Sequence, residues 1–239
     1  MDLKNNKYWI LSLLTALLFL FVALATFRDY GMGWDEVTRW NSGDIKVEYY
    51  KELFASDEPL QVVRDVGNDR YPGLFDIPLS ILHQWTGWDR FYLGHALSVC
   101  FGCIALIATW LIGRALGGCR LAFWSMLFLL LTPSFYGHLF HNPKDVPFAA
   151  MYTLAVCALV YASRSLGRMS WKWAGLIGLC IGLAMSVRIG GMVLLSYYVA
   201  VCVAWAAKRW ANAGCVFKDL IKVAVGERMH LVRMVGFGL

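Results

Sequence analysis

Six apolar segments alternate with polar connections along this chain, and the first connection is much longer than the rest. The segments cover about Tyr8–Phe27, Phe91–Gly113, Leu121–Tyr136, Pro147–Ser163, Trp173–Val187 and Gly190–Ala207. Because about 20 apolar residues cross a bilayer as a helix, the pattern predicts an all-α, polytopic transmembrane bundle of about six helices. We expect this core to occupy residues 1–207, and residues 208–239 to be a cytoplasmic-side C-terminal segment, with truncation of the chain left open.

The long connection, residues 28–90, is rich in aromatic residues and is expected to be folded. Between about Ser42 and Ala55, four apolar residues recur at helical spacing opposite charged ones: Ile45, Tyr49, Leu53 and Phe54. This pattern is typical of a helix that lies flat on a membrane surface. A second short interfacial helix is predicted at about Ile77–Trp85.

The composition argues against a soluble protein, and the distribution of charge argues against a nucleic-acid partner. Hydrophobic residues make up 59% and charged residues 16% of the chain, whereas soluble domains contain roughly 25% charged residues. The formal net charge is +6, but residues 28–90 hold twelve of the sixteen acidic residues beside seven Lys or Arg. The other basic residues lie in short connections, where membrane orientation explains them better than nucleic-acid binding does.

The basic connections alternate regularly, so they fall on one side of the membrane. They contain Lys4 and Lys7, Arg114 and Arg120, Arg164, Arg168 and Lys172, and Lys208 and Arg209. The positive-inside rule places this side in the cytoplasm. The connections at residues 28–90, 137–146 and 187–190 are then expected to share the outer face.

The seven cysteines do not have the pattern of a disulfide framework. Five of them lie within apolar segments, and none lies in the long connection. Cys100 and Cys103 form a C-x-x-C, but they lack charged or histidine neighbours. They are interpreted as small apolar residues rather than as a redox or metal motif.

Two carboxylates, Asp35 and Glu36, follow the first apolar segment at the predicted outer interface. One interpretation is a solvated turn in an acidic loop. The other is a general base or a ligand of a divalent cation. Spacing alone favours the solvated turn.

A second group of candidates, Asn142, Lys144 and Asp145, precedes Pro147 at the predicted start of a helix. A helix N-terminus beside a lysine suits an anion. An ordinary helix start, with Asp145 near the positive end of the dipole, accounts for the same residues. His138 and His141 stand nearby without a supporting motif, so no metal site is assigned to them.

Arg188 is the only charged residue between Lys172 and Lys208. It is either an interfacial arginine whose charge reaches water or a ligand of a phosphate group, which a guanidinium fits well. Because the topology places all these candidates at the outer face, they indicate together an enzyme that acts on an amphiphile with an anionic head group.

The chain resembles the GT-C membrane glycosyltransferases, in the bacterial branch related to protein O-mannosyltransferases and to the aminoarabinose transferases of lipid A. The resemblance is carried by Trp34–Glu36, Tyr71–Gly73, His141–Phe148 and Ser186–Arg188, and it extends over about Tyr8–Ala207. It implies transfer of a hexose or pentose from a polyprenyl-phosphate donor to a hydroxyl of a protein, lipid or glycan acceptor. It also implies a bacterial inner membrane with the active face periplasmic or extracellular.

The resemblance further implies roles for the candidate residues. Asp35 would be the general base, and Glu36 would support it or position the acceptor. Lys144 and Arg188 would bind the carrier phosphate, and Asn142 is counted with this substrate-binding group. Asp145 would match an acidic residue that in some relatives lies beside a metal ion, so a divalent cation is left open and no other cofactor is implied.

Two alternative functions stay open, an inactive remnant and a transporter in which Arg188 and Asp145 would line a substrate path. Relatives in this branch have more transmembrane helices and often a C-terminal soluble domain, so a catalytically inactive, truncated remnant is one alternative. A polytopic transporter is the other, although the sequence shows neither a repeated half nor ionisable residues near mid-membrane.

Overall fold

A computed structural model describes residues 3–55, 71–164 and 171–212, and this part of the chain contains helices and no strand. The helices are α1 (Leu3–Thr26), α2 (Glu36–Ala55), α3 (Asp76–Thr86), α4 (Arg90–Leu130), α5 (Pro133–His141), α6 (Asp145–Ser163), α7 (Trp171–Met185), a 3-10 helix (Ile189–Met192) and α8 (Val193–Asn212). The predicted all-α class is confirmed. The predicted C-terminal segment lies outside the described residues from residue 213 onward.

The described helices include four that are long and apolar enough to cross a membrane. They are α1, α4, α6 and the stretch Ile189–Ala207, while α7 is apolar but shorter. Five of the six predicted apolar segments fall on these helices with boundaries displaced by a few residues, and the remaining one, Leu121–Tyr136, begins on α4 and ends on α5. The predicted transmembrane helical bundle is therefore confirmed.

Helix α4 folds back on itself and supplies two of the six predicted segments. Gly117 and Gly118 leave the helical conformation, and Gly118 adopts φ +74°, a left-handed value that glycine reaches without steric cost. The first limb starts beside the end of α1, where His95 Nδ1 lies 2.6 Å from the Phe27 carbonyl oxygen. The second limb passes the start of α1, with the rings of Phe123 and Tyr8 6.0 Å apart.

The two limbs of α4 approach most closely at Gly113. A Cβ atom there would lie 2.7 Å from the Ala122 Cα atom, which is backbone and cannot turn aside. We expect Gly113→Ala to destabilise the folded protein by about 1–3 kcal/mol, because overpacking forces the backbone to shift. Thermal unfolding in detergent measures the loss, and Gly182→Ala in α7 is the control, since its Cβ would meet nothing within 4 Å. Equal melting temperatures for the two variants would contradict the close approach.

A proline interrupts the third predicted segment, Leu121–Tyr136. Helix α4 ends at Leu130, Thr132 is extended (φ −77°, ψ 108°), and Pro133 starts α5. Proline lacks an N–H group and disfavours helical geometry in the residue before it. The prediction of one continuous helix to Tyr136 is therefore wrong at this point.

Both short helices predicted in the long connection are present, as α2 and α3. Helix α2 begins at Glu36, six residues before the predicted start, and its buried side chains are mostly polar, including Arg39, Ser42 and Lys46. Its apolar residue Phe54 is 86% exposed. The apolar pattern identified the helix, but the face that packs against the protein is the polar one.

One end of the bundle gathers the elements that carry the candidate residues. Helix α1 ends there, α4 and α6 begin there, and α7 ends there. Thr26 Oγ1 lies 2.9 Å from the Tyr136 hydroxyl, and Leu74 N–H donates to the Ser186 carbonyl oxygen at 3.0 Å. We call this end, together with α2 and α3, the loop face.

Candidate active site

The Asp35–Glu36 pair sits in a tight turn, residues 33–36, that separates the roles of its two carboxylates. Gly33 N–H donates to Glu36 Oε1 at 3.0 Å, and Glu36 N–H donates to the Gly33 carbonyl oxygen at 3.2 Å. Glu36 is buried as the first residue of α2, whereas the Asp35 side chain is 43% exposed. Glu36 closes the turn, and the turn presents Asp35 at the loop face.

This turn packs directly against the end of α5. A Cβ atom on Gly33 would lie 2.5 Å from the His141 carbonyl oxygen and 3.1 Å from Glu36 Oε1. We expect Gly33→Ala to displace the turn and to lower the catalytic rate about 10–100-fold, because small misplacements of reacting groups are costly. Gly31→Ala is the matched control, since a Cβ there meets nothing within 4 Å. If Gly33→Ala keeps the wild-type rate in a transfer assay, the turn does not hold a catalytic group.

The second candidate group forms the start of α6. The Asn142 side-chain oxygen accepts hydrogen bonds from the N–H groups of Lys144 and Asp145, both at 3.1 Å. Its amide nitrogen donates to Asp145 Oδ2 at 2.5 Å. Asn142 thus satisfies two N–H groups in the turn that leads into α6, and it orients the Asp145 carboxylate. Its predicted contact with substrate stays a prediction.

Two ion pairs join the candidate residues across three connections. Lys144 Nζ pairs with Asp35 Oδ2, which links the start of α6 to the turn after α1. Arg188 Nη1 lies 2.6 Å from Asp145 Oδ1 and links α6 to the extended residue that follows α7. The Arg188 and Asp145 side chains are 33% and 39% exposed, so this pair lies at the protein surface. The structure therefore brings together Asp35, Lys144, Asp145 and Arg188.

The Tyr71 ring lies between three cationic side chains. Lys144 Nζ is 4.7 Å, Arg39 Cζ 4.8 Å and Arg188 Cζ 5.8 Å from the ring centroid. Cations within about 6 Å of an aromatic face are attracted to it. The hydrogen bond from Leu74 N–H to the Ser186 carbonyl oxygen holds the segment before α3, which contains Tyr71, against the end of α7. Tyr71 belonged to a family-like motif in the sequence, but nothing there indicated this contact.

A buried ionic cluster joins α2 to α3 next to the candidate residues. Asp76, at the start of α3, accepts a hydrogen bond from Arg39 Nε at 3.0 Å and one from Lys46 Nζ at 3.2 Å. Lys46 Nζ also donates to Ser42 Oγ at 2.5 Å. All four residues are at most 9% exposed. These hydrogen bonds hold α2 against α3 and keep the Arg39 guanidinium beside the Tyr71 ring.

An open cavity of about 580 Å³ lies next to Tyr71. Its walls include Tyr49, Tyr50, Pro72 and Ile77, with Lys46 on one side and Ser186 on another. Pro72 is adjacent to Tyr71 in the chain, and Ser186 is two residues from Arg188. The cavity is therefore lined in part by chain neighbours of Tyr71 and Arg188.

The histidines near the site do not gather metal ligands around them. The His141 ring packs edge-on against Tyr30, with ring centroids 5.5 Å apart. Within residues 3–55, 71–164 and 171–212, no three His, Cys, Asp or Glu side chains converge as metal ligands would. The divalent cation suggested by the resemblance stays a prediction.

Comparison with known proteins identifies the family. The model of the dolichyl-phosphate-mannose-protein mannosyltransferase family matches residues 70–233, more than half of the chain. The chain belongs to this mannosyltransferase family. No curated protein and no solved structure matches it. The chain is thus an integral membrane protein of a glycosyltransferase family, as the resemblance in the sequence implied.

The match to the mannosyltransferase family covers only part of the candidate site. It includes Tyr71, Asp76, Asn142–Asp145 and Arg188, whereas Asp35 and Glu36 lie before its first residue. The structure connects the two parts through the Lys144–Asp35 ion pair. The predicted roles of Asp35 and Glu36 therefore stay predictions, which this geometry supports and the family match does not cover.

Proposed function

We propose that this chain transfers a sugar from a polyprenyl-phosphate-linked donor to a hydroxyl group of a protein, lipid or glycan acceptor, at the outer face of a bacterial inner membrane. Membership of the mannosyltransferase family supports the general reaction. The donor, the acceptor and the face are the parts that this proposal adds.

One observation carries the proposal. A half-exposed carboxylate, Asp35, and two cations, Lys144 and Arg188, share one contact network at the loop face. Attack by a hydroxyl needs a base, and departure of a lipid phosphate needs positive charge beside it. Asp35 and Lys144 are in direct contact, so a base and a positive charge stand side by side at the loop face.

In the proposed reaction, the acceptor oxygen attacks the anomeric carbon of the sugar as the bond from that carbon to the carrier phosphate breaks. The acceptor proton passes to the Asp35 carboxylate, and the electron pair of the broken bond stays on the phosphate oxygen. Lys144 and Arg188 stabilise the charge that develops there. Glu36 keeps its place in the turn that holds Asp35.

The guanidinium of Arg188 suits the phosphate better than a simple point charge does. It has five N–H groups in a rigid fork, and its ion pair with Asp145 uses one terminal nitrogen. The remaining N–H groups are oriented by that pair and by the Tyr71 ring. The neighbouring cavity, with its tyrosine and proline walls, offers room for the sugar or the acceptor.

The position of the charges favours transfer over transport. Transporters commonly bind substrate near mid-membrane, at broken helices. Here the described ion pairs of the site involve the ends of α6 and α7 and the connections beside them. This arrangement suits a reaction at the membrane surface.

The test is a transfer assay with the full chain reconstituted in vesicles. A polyprenyl phosphate carrying a radiolabelled sugar is added with peptide and lipid acceptors in separate reactions, and label on the acceptor is measured. Mannose and aminoarabinose donors are compared, because the resemblance includes transferases for both. Transfer from at least one donor supports the proposal, and intact donor in every reaction contradicts it.

A further inference from the structure

His95 lies in the first limb of α4, buried where that limb meets the end of α1 and the start of α2. It is 3% exposed, and its ring packs against Phe91 and Phe140 with centroids 4.3 and 5.4 Å away. Its Nδ1 atom is 2.6 Å from the Phe27 carbonyl oxygen. Its Nε2 atom faces Glu36 Oε1 at 3.5 Å and has no hydrogen-bond partner among the described residues.

The proton on Nδ1 follows from its partner. A carbonyl oxygen only accepts hydrogen bonds, so Nδ1 must donate to Phe27. A neutral ring would then have a bare lone pair on Nε2, directed at a carboxylate oxygen that also only accepts. Two facing acceptors repel each other, whereas a proton on Nε2 converts the contact into an ion pair.

Burial makes the Glu36 carboxylate costly unless a positive charge lies beside it. The side chains of His95 and Glu36 are 4% and 7% exposed, and an isolated buried carboxylate is strongly unfavourable. The other charged residue lining the same small cavity is Arg39, which is engaged by Asp76. An imidazolium beside Glu36 gives the carboxylate a charged partner of its own.

From this geometry we infer that His95 is a positioning residue: its imidazolium pairs with Glu36 and thereby holds the turn that presents Asp35. Glu36 accepts from Gly33 through the same oxygen that faces His95. His95 thus ties the end of α1, through Phe27, to the turn at the start of α2. This inference rests on the proposed function for its effect on catalysis, while the charge of the ring can be measured without it.

Two substitutions of His95 separate its two contacts. In His95→Gln the amide nitrogen reaches the position of Nε2 and can donate to Glu36. In His95→Asn the amide nitrogen reaches the position of Nδ1 and can donate only to the Phe27 carbonyl oxygen. We expect His95→Asn to lower kcat about 10-fold or more, with the donor KM nearly unchanged. The reason is that Glu36, whose turn positions the base Asp35, loses its partner. His95→Gln should keep most of the wild-type kcat. Equal losses in the two variants, or a larger loss in His95→Gln, would overturn the inference.

The charge on the ring is tested independently by ¹⁵N NMR of the full chain in detergent micelles, with labelled histidine. The His95 signals are assigned as those missing from His95→Asn. We expect both ring nitrogens to be protonated in the wild type, and Nε2 to lose its proton in Glu36→Gln, which removes the negative charge that the imidazolium faces. A neutral ring in the wild type, or the same ring charge in Glu36→Gln, would overturn the inference. If the ring behaves as expected but no sugar is transferred, the proposed function fails and the ion pair stands.

Discussion

Asp35→Asn is expected to reduce sugar transfer about 10²–10⁴-fold, the usual contribution of a general base. The amide has the size of the carboxylate but cannot take the acceptor proton. It can still lie beside Lys144, and the turn closed by Gly33 and Glu36 does not use the Asp35 side chain. We therefore expect donor binding and membrane insertion to change little, so the loss should appear in kcat. Initial rates at several donor concentrations measure it.

Asp29→Asn is the matched control for this substitution. Asp29 is an exposed carboxylate six residues earlier in the same connection, and it makes no ion pair within the described residues. It should transfer sugar at the wild-type rate. Comparable rates for Asp35→Asn and wild type would show that Asp35 is not the base, whereas equal losses in both variants would indicate a general effect of surface charge.

Arg188→Gln is expected to lower kcat about 10²–10³-fold, comparable to the loss of a preorganised group that stabilises a developing negative charge. The substitution removes a positive charge from the place assigned to the carrier phosphate. It also leaves the Asp145 carboxylate without its partner at 2.6 Å, so a negative charge would face the phosphate. Arg188→Lys should lose less, because it keeps the charge but not the fork.

The ion pair between Arg90 and Asp44 provides the control for the Arg188 variants. Arg90 Nη1 lies 2.5 Å from Asp44 Oδ2, and the side chains are 23% and 35% exposed, similar to Arg188 and Asp145. Surface pairs of this kind contribute about 0–1 kcal/mol to stability. Arg90→Gln should therefore transfer sugar at nearly the wild-type rate. If it loses as much activity as Arg188→Gln, the effect comes from destabilisation and not from the phosphate site.

The transmembrane segments could be predicted from the sequence because a long apolar run has few alternatives to a membrane helix. The turn at Gly117 and Gly118 followed from the same pattern, since it separates two apolar segments. The break at Pro133 was missed because the residues on both sides remain apolar. The polar inner face of α2 was missed because a pattern of apolar residues assumes that the apolar side packs inward.

The charged residues of the candidate site could be predicted from the sequence, whereas the residues that hold them in place could not. Arg188 stood out because charges are rare within apolar segments, whereas Asp35, Lys144 and Asp145 stood out through their short motifs and the family resemblance. The contacts of Tyr71, Asp76 and His95 depend on tertiary packing between elements far apart in the chain. His95 did leave a signal, as the only histidine in the segment Phe91–Gly113. The polar spacing of Arg39, Ser42 and Lys46, one helical face of α2, was the corresponding signal for the ionic cluster.

The proposed site exists only if the turn after α1 meets the start of α6, and a zero-length carbodiimide crosslink tests this contact most directly. The reagent joins an amine to a carboxylate when the two groups touch, as Lys144 and Asp35 do. In wild-type protein in membranes, mass spectrometry should find an amide bond between Lys144 and Asp35, absent from Asp35→Asn and retained in Asp29→Asn. Lys144 joined to other carboxylates, with no bond to Asp35 in the wild type, would contradict the account.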